Sequence, residues 1–221
     1  MSKIRLVLAL AFLSMVLPMS IAAQKRGAAA RDYFPLRVGD SWTYRHTDSD
    51  TEYTVKVLSE EKQADGTIRY LLEKKVGVDI HSWFSKSAGA VLMHREAYPE
   101  QEGLDVKHEP ARQYLLNPLV AGAKWKWSGK SITGIDAFES SEVIGPEVVK
   151  VPAGTFRAMK VMSRATEGEA VVKKTYWYAE GVGLVKSLTE SPQLENTWEL
   201  VSYSFKKASP RQTRTAKTGR R

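Results

Sequence analysis

The chain has 221 residues, no cysteine and a formal charge of +8, from 33 Lys plus Arg against 25 Asp plus Glu. Nine of the basic residues lie in residues 1–23 and 206–221, which hold no acid, so residues 24–205 carry 24 positive against 25 negative side chains and the high isoelectric point implies no nucleic-acid face. Without thiols the fold has no disulfide staples, and its stability must come from a core that 43% apolar residues, including six Trp, nine Tyr and six Phe, are able to supply.

Residues 1–23 have the three parts of a signal peptide: Lys3 and Arg5, an apolar run from Leu6 to Leu17, and small residues Ala22 and Ala23 after Pro18. Cleavage is expected after Ala23. The run is short for the ~20 apolar residues that span a bilayer. No Cys follows it, which excludes a lipid-modified N-terminus, so the expected destination is the periplasm or the exterior. Residues 24–31 read as a linker. Residues 206–221 are basic and otherwise small or polar; they are expected to be a disordered tail able to meet anionic surfaces through charge alone.

Between these ends lies one predicted domain, residues 32–205, in which short β-branched and aromatic runs alternate with turn residues. Trp42-x-Tyr44 opens a strand. Tyr53, Val55 and Val57 alternate with Thr54 and Lys56, and Ile68, Tyr70 and Leu72 follow the Ala64-Asp65-Gly66 turn. Val78 and Ile80 lead into Trp83-Phe84, and Ser87-Ala88-Gly89 turns the chain into 90–95. Further strands are predicted over 124–128, 138–144, 147–151, 155–165, 170–179, 183–190 and 194–205, with at most a turn or two of helix in 110–117.

Three motifs recur in order. Pro35-Leu36-x-x-Gly39-x-x-Trp42-x-Tyr44 matches Pro118-Leu119-x-x-Gly122-x-x-Trp125-x-Trp127; Gly66-Thr67-Ile68-Arg69 matches Gly154-Thr155-Phe156-Arg157; Trp83-Phe84 and the following Ala88-Gly89 match Trp177-Tyr178 and Val182-Gly183. The expectation is an internal duplication, with halves over about 32–97 and 115–190 and a crossover at 98–114, each half covering the other's apolar face. The predicted fold class is mainly β: a single antiparallel curved sheet, barrel or sandwich of ten or eleven strands. An outer-membrane barrel would need a continuous apolar band, which Lys56, Arg69, Glu73, Asp79, Lys160, Lys173 and Lys174 interrupt.

No catalytic constellation is legible, and no enzyme activity, cofactor or metal is expected. Gly39-Asp40-Ser41 opens a strand rather than a strand-to-helix nucleophile turn. Gly181-Val182-Gly183 reads as a hairpin turn rather than a phosphate loop. His46, His81, His94 and His108 lack zinc-site spacing and read as surface or rim residues, with His81 and His94 near neighbours if the hairpin turns at Ala88. The candidate ligand-binding residues are Trp83, Phe84, Trp177 and Tyr178. Successive strand residues face opposite sides of a sheet, so each dipeptide sends one ring to each side, where it either packs or offers a platform for lipid, sugar or peptide.

The motifs Tyr33-Phe34-Pro35-Leu36-x-x-Gly39-x-x-Trp42-Thr43-Tyr44, Val151-Pro152-Ala153-Gly154-Thr155-Phe156-x-Ala158-x-Lys160-Val161 and Trp177-Tyr178-Ala179-x-Gly181-Val182-Gly183-Leu184-Val185 resemble a family of exported bacterial proteins of unknown function, sometimes labelled TapB-like. The resemblance spans about 32–205. It implies a periplasmic or secreted β protein similar to the curved sheets of lipoprotein carriers, and transfers no site residue. The functional expectation is a binding or structural component of the envelope. One alternative is a carrier of lipid or lipoprotein acyl chains in a concave apolar cleft; the other is a hydrolase of envelope polymers. Lipid and envelope polymer are the partner classes in view.

Overall fold

A computed structural model describes residues 31–87 and 89–206. The expected signal peptide, most of the linker and the tail beyond Lys206 lie outside these residues. The chain passes through twelve strands: β1 (Ser41–His46), β2 (Glu52–Lys62), β3 (Ile68–Lys75), β4 (Asp79–Lys86), β5 (Ala90–Ala97), β6 (Asp105–Leu116), β7 (Lys124–Lys130), β8 (Asp136–Val151), β9 (Gly154–Glu167), β10 (Ala170–Ala179), β11 (Gly183–Ser191) and β12 (Leu194–Ser204). Among the described residues there is no helix.

The mainly β, antiparallel class is as expected, and all twelve strands, against ten or eleven expected, belong to one sheet in the order β6-β5-β4-β3-β2-β1-β12-β11-β10-β9-β8-β7. The first and last strands therefore pair in the middle of the order, and β6 and β7 are its edges. Right-handed twist curls the sheet until those edges meet, giving a nearly closed barrel. The seam is closed by side chains: the Trp125 indole N–H on β7 donates to the Gln113 carbonyl on β6 at 3.1 Å, and the Trp127 indole to the Pro110 carbonyl at 3.4 Å.

Three expectations are corrected. The segment 110–116, where at most a turn or two of helix is expected, belongs to β6, and the link between β6 and β7 is 117–123. The segments 138–144 and 147–151 are one strand, β8. His108 is buried, at 7% exposure, not on the surface or rim.

Bulges adjust the ladders at several places. Leu58 on β2 is the extra residue between the Val57–Leu72 and Ser59–Leu71 pairs, and Ile144 on β8 is the extra residue between Val143–Val161 and Gly145–Lys160. His94 on β5 and Val185 on β11 are extra opposite Trp83-Phe84 and Trp177-Tyr178. Each bulge shifts the side-chain alternation by one residue. At the entry to β1, the Gly39 N–H donates to the Val57 carbonyl at 2.8 Å; at the entry to β7, the Gly122 N–H donates to the Val143 carbonyl at 2.7 Å. Both glycines have φ near +90°, at +92° and +81°, where a Cβ would be strained. Val57 and Val143 have no exposed surface.

Candidate functional site

Inward side chains of β1–β6 and β10–β12 surround a cavity of about 450 Å³. One end has a floor. Residues Asp32 to Leu36 cross it before β1 begins, burying Tyr33 and Leu36 and placing Phe34, Pro35 and Leu36 against the cavity. The Lys86 ammonium donates to both Asp32 carboxylate oxygens at 2.7 Å and to the Phe34 carbonyl at 2.8 Å, and the Asn117 amide donates to Asp32 at 3.0 Å. The Gly181 N–H donates to the Asp32 carbonyl at 2.7 Å, and the Tyr33 N–H to Asn117 Oδ1 at 2.9 Å. Burial alone would raise the Asp32 pKa, but Lys86, the Phe34 N–H and Asn117 hold its carboxyl below the ordinary range.

Above the floor the wall is aromatic. Phe34, Phe84 and Tyr114 form a triangle with centroids 5.1–5.6 Å apart. Tyr44 stacks on Tyr53 at 4.9 Å, and Trp198 meets Tyr53 edge-on at 4.6 Å. The Trp42 indole donates to the Val182 carbonyl at 2.7 Å and the Tyr44 hydroxyl to the Leu184 carbonyl at 2.9 Å, so these rings are fixed as well as packed. Burial, with neighbouring tyrosines second, raises the Tyr44 and Tyr53 pKa values. Burial likewise pushes Tyr114 up to about 12. These hydroxyls stay protonated.

The register places a different chemistry at the other end. Lys74 lies opposite Ile80, Ser82 opposite Glu96, Lys174 opposite Thr189, and Thr189 opposite Asn196, all on the cavity wall and remote from the floor. Arg112 joins them and forms a half-buried ion pair with Glu139. Burial lowers the Lys74 pKa, with Glu96 opposing and Lys174 adding to the effect. Burial raises the Glu96 pKa, against the pull of Arg112, Lys174 and Lys74. The cavity is thus greasy at its base and charged at its mouth.

The four residues singled out in the sequence are divided by the sheet. Phe84 and Tyr178 line the cavity. Trp83 and Trp177 alternate to the outer face, where cations cover them: the Arg95 guanidinium lies 4.4 Å from the Trp83 centroid, and the Lys160 and Lys186 ammoniums lie 5.3 and 5.8 Å from the Trp177 ring. His81 and His94 do not meet; His81 pairs with Ala97 in the ladder, and His94 shares a 2.8 Å hydrogen bond with Ser85. Asp40 accepts a 2.9 Å hydrogen bond from the Lys206 N–H, in keeping with a structural turn at 39–41. Sequence reasoning missed Lys74, Glu96, Arg112, Tyr114 and Lys174. The bulge at His94 puts Met93 and Glu96, three residues apart, on the same inner face, whereas strict alternation along β5 would turn Glu96 outward.

The DUF3108-like family model matches residues 129–204, about a third of the chain. That stretch contains the Val151–Val161 and Trp177–Val185 motifs but not Tyr33–Tyr44, so the TapB-like label rests on the sequence motifs alone. No curated protein matches the chain. Two solved structures resemble it over 80% of its length and all of theirs. One is a Bacteroides fragilis protein inferred to be exported, with a YmcC-like fold, at 16% identity and a TM-score of 0.49; the other is an inferred lipoprotein of Parabacteroides distasonis, at 14% identity and a TM-score of 0.47.

Proposed function

We propose that the protein is an exported binding protein that carries a single-chain amphipathic molecule inside its barrel. The observation that carries this reading is the polarity gradient along one cavity, from the Phe34–Leu36 floor to the charged mouth. A volume of about 450 Å³ lies within the ~300–1,000 Å³ range of small-molecule sites. Export is supported by the pattern of residues 1–23.

The barrel is read as two related halves, β1–β6 and β7–β12. The three sequence motifs fall on corresponding strands and turns, and the bulges at Leu58 and Ile144, and at His94 and Val185, fall at corresponding ladder positions. In this reading each half is an open six-stranded sheet whose concave apolar face the other half covers, and the cavity is what their packing leaves unfilled.

The test is titration with N-phenyl-1-naphthylamine, a neutral probe that fluoresces in apolar surroundings. Wild-type protein is expected to bind it saturably, and Ser82→Phe, which fills the lumen with a ring, to lose that binding while keeping its β circular dichroism. Absence of saturable binding to the wild type, or binding untouched by Ser82→Phe, overturns the carrier reading.

A further inference from the structure

The mouth of the cavity holds cationic charge that the protein itself leaves unmatched. Lys74 and Lys174 are half-buried on the cavity wall, yet neither forms an ion pair among the described residues. The Lys74 ammonium lies over the face of Tyr53, at 4.3 Å from the ring centroid. Arg112 is already matched by Glu139. Glu96 lies in the field of both lysines and of Arg112 but forms no ion pair among the described residues. Among the side chains that line the cavity, the mouth therefore carries two ammonium groups against one carboxylate, a net charge of +1, with Glu167 outside the lining but in the field of Lys174.

Half-burying an ammonium group against aromatic rings costs free energy unless a counter-charge or hydrogen-bond acceptor compensates it. A cation–π contact of the Lys74–Tyr53 kind offsets only part of that cost. Facing an aqueous channel the two lysines would gain nothing from the greasy walls beside them. Facing the head group of a molecule whose tail fills the base, they would be the charged partners it lacks. The polar groups beside them, Ser82, Thr189 and Asn196, extend the same rim, and the buried Asn196 Oδ1 has no hydrogen-bond partner among the described residues.

We infer that the ligand is an anionic single-chain amphiphile whose carboxylate or phosphate head is held at the mouth by Lys74 and Lys174, with its tail lying against the Phe34–Phe84–Tyr114 triangle. This rests on the carrier reading and adds the sign of the head group to it. The length of the tail is limited by the floor, which the Asp32–Lys86–Asn117 lash holds across the base.

The experiment is displacement of bound N-phenyl-1-naphthylamine from the full chain by three sixteen-carbon competitors: palmitate, hexadecyl phosphate and hexadecanol. Wild-type protein is expected to prefer at least one anion over the alcohol by roughly tenfold or more, the tighter anion naming the head group. Lys74→Met/Lys174→Met is expected to lose that preference while still taking up hexadecanol, and Lys74→Arg/Lys174→Arg to retain most of it. Equal displacement by all three in the wild type, or an anion preference that survives in the double methionine variant, overturns the head-group assignment and leaves the carrier reading standing. If the probe never binds the wild type, the carrier reading falls first and takes this inference with it.

Discussion

His108 is the residue whose burial has the clearest consequence for solution behaviour. Its ring packs edge-on against Trp127 at 5.2 Å, and neither ring nitrogen has a hydrogen-bond partner among the described residues. Burial first, then the positive fields of Arg112 and His94, pulls its pKa from the ordinary 6.5 down to about 4. The folded protein thus refuses a proton that the unfolded chain accepts between those values. Stability is unaffected above pH ~6.5 and falls as the pH drops toward ~4, by up to roughly 3 kcal/mol from this group. In His108→Phe a ring of similar shape keeps the contact with Trp127 without titrating. Its urea midpoint is expected to change much less between pH 7.5 and 4.5 than that of the wild type. His94, whose pKa burial also lowers, contributes to the slope that remains, and Glu96, whose pKa burial raises, opposes it. Equal pH slopes in the two proteins would show that His108 is not held neutral. Spacing arguments saw only that His108 belonged to no metal motif; its burial depends on Trp127, nineteen positions away on the far side of the seam.

At the scale of elements, the seam between β6 and β7 decides whether the sheet is a barrel. An exposed sheet edge invites pairing with other chains. Here the two edges face each other, and the indoles of Trp125 and Trp127 reach the β6 carbonyls that ladder bonds would otherwise satisfy. Gly129, two residues on and on the same face of β7, provides the room: a Cβ there would stand 2.4 Å from Trp127 Cζ2, a rigid ring atom backed by His108. Gly129→Ala is therefore expected to push the Trp127 indole off the Pro110 carbonyl, costing about 1–3 kcal/mol. Hydrogen exchange should show the loss concentrated in β6 and β7, with β1 and β12 unchanged. Uniform loss across the sheet would mean that the seam is not a separate element. β7 was legible from its Trp-x-Trp alternation, whereas β6 was not. Pro110 cannot donate to a ladder, the β5–β6 pairing is irregular between Met93 and Arg95, and the segment Asp105–Pro110 has Val106 as its one β-branched residue among Asp105, Lys107, His108 and Glu109. The same irregularity leaves the Pro110 carbonyl, between the Arg112 and Lys107 pairs, available to the Trp127 indole.

The whole molecule joins these levels through its connectivity. The antiparallel β class and most strand positions could be read from alternation and turn residues, because tight hairpins leave a local record in the sequence. Closure left no such record, since it depends on accumulated twist and on which residues each bulge turns inward. The described ends of the chain lie in the middle of the strand order, where β1 pairs with β12, while the two sheet edges are tied together by the link at 117–123. A circular permutant beginning at Ala121 and ending at Val120, with residues 206 and 31 joined by a flexible linker of about 15 residues, separates pairing from closure. Every ladder from β7 through β12 and β1 to β6 is retained, and the cut falls beside Val120, which is 60% exposed. Only the covalent tether across the seam is lost. The permutant is expected to keep the β circular dichroism of the parent, because the ladders carry the fold. It should bind N-phenyl-1-naphthylamine several-fold more weakly and associate at high concentration, because the free edges separate more often than the tether would permit. Binding and monomeric behaviour equal to those of the parent would show that the two indoles and their apolar surroundings close the barrel unaided. Failure to fold would show instead that closure comes before pairing, and the barrel could not then be described as a sheet curled by its own twist.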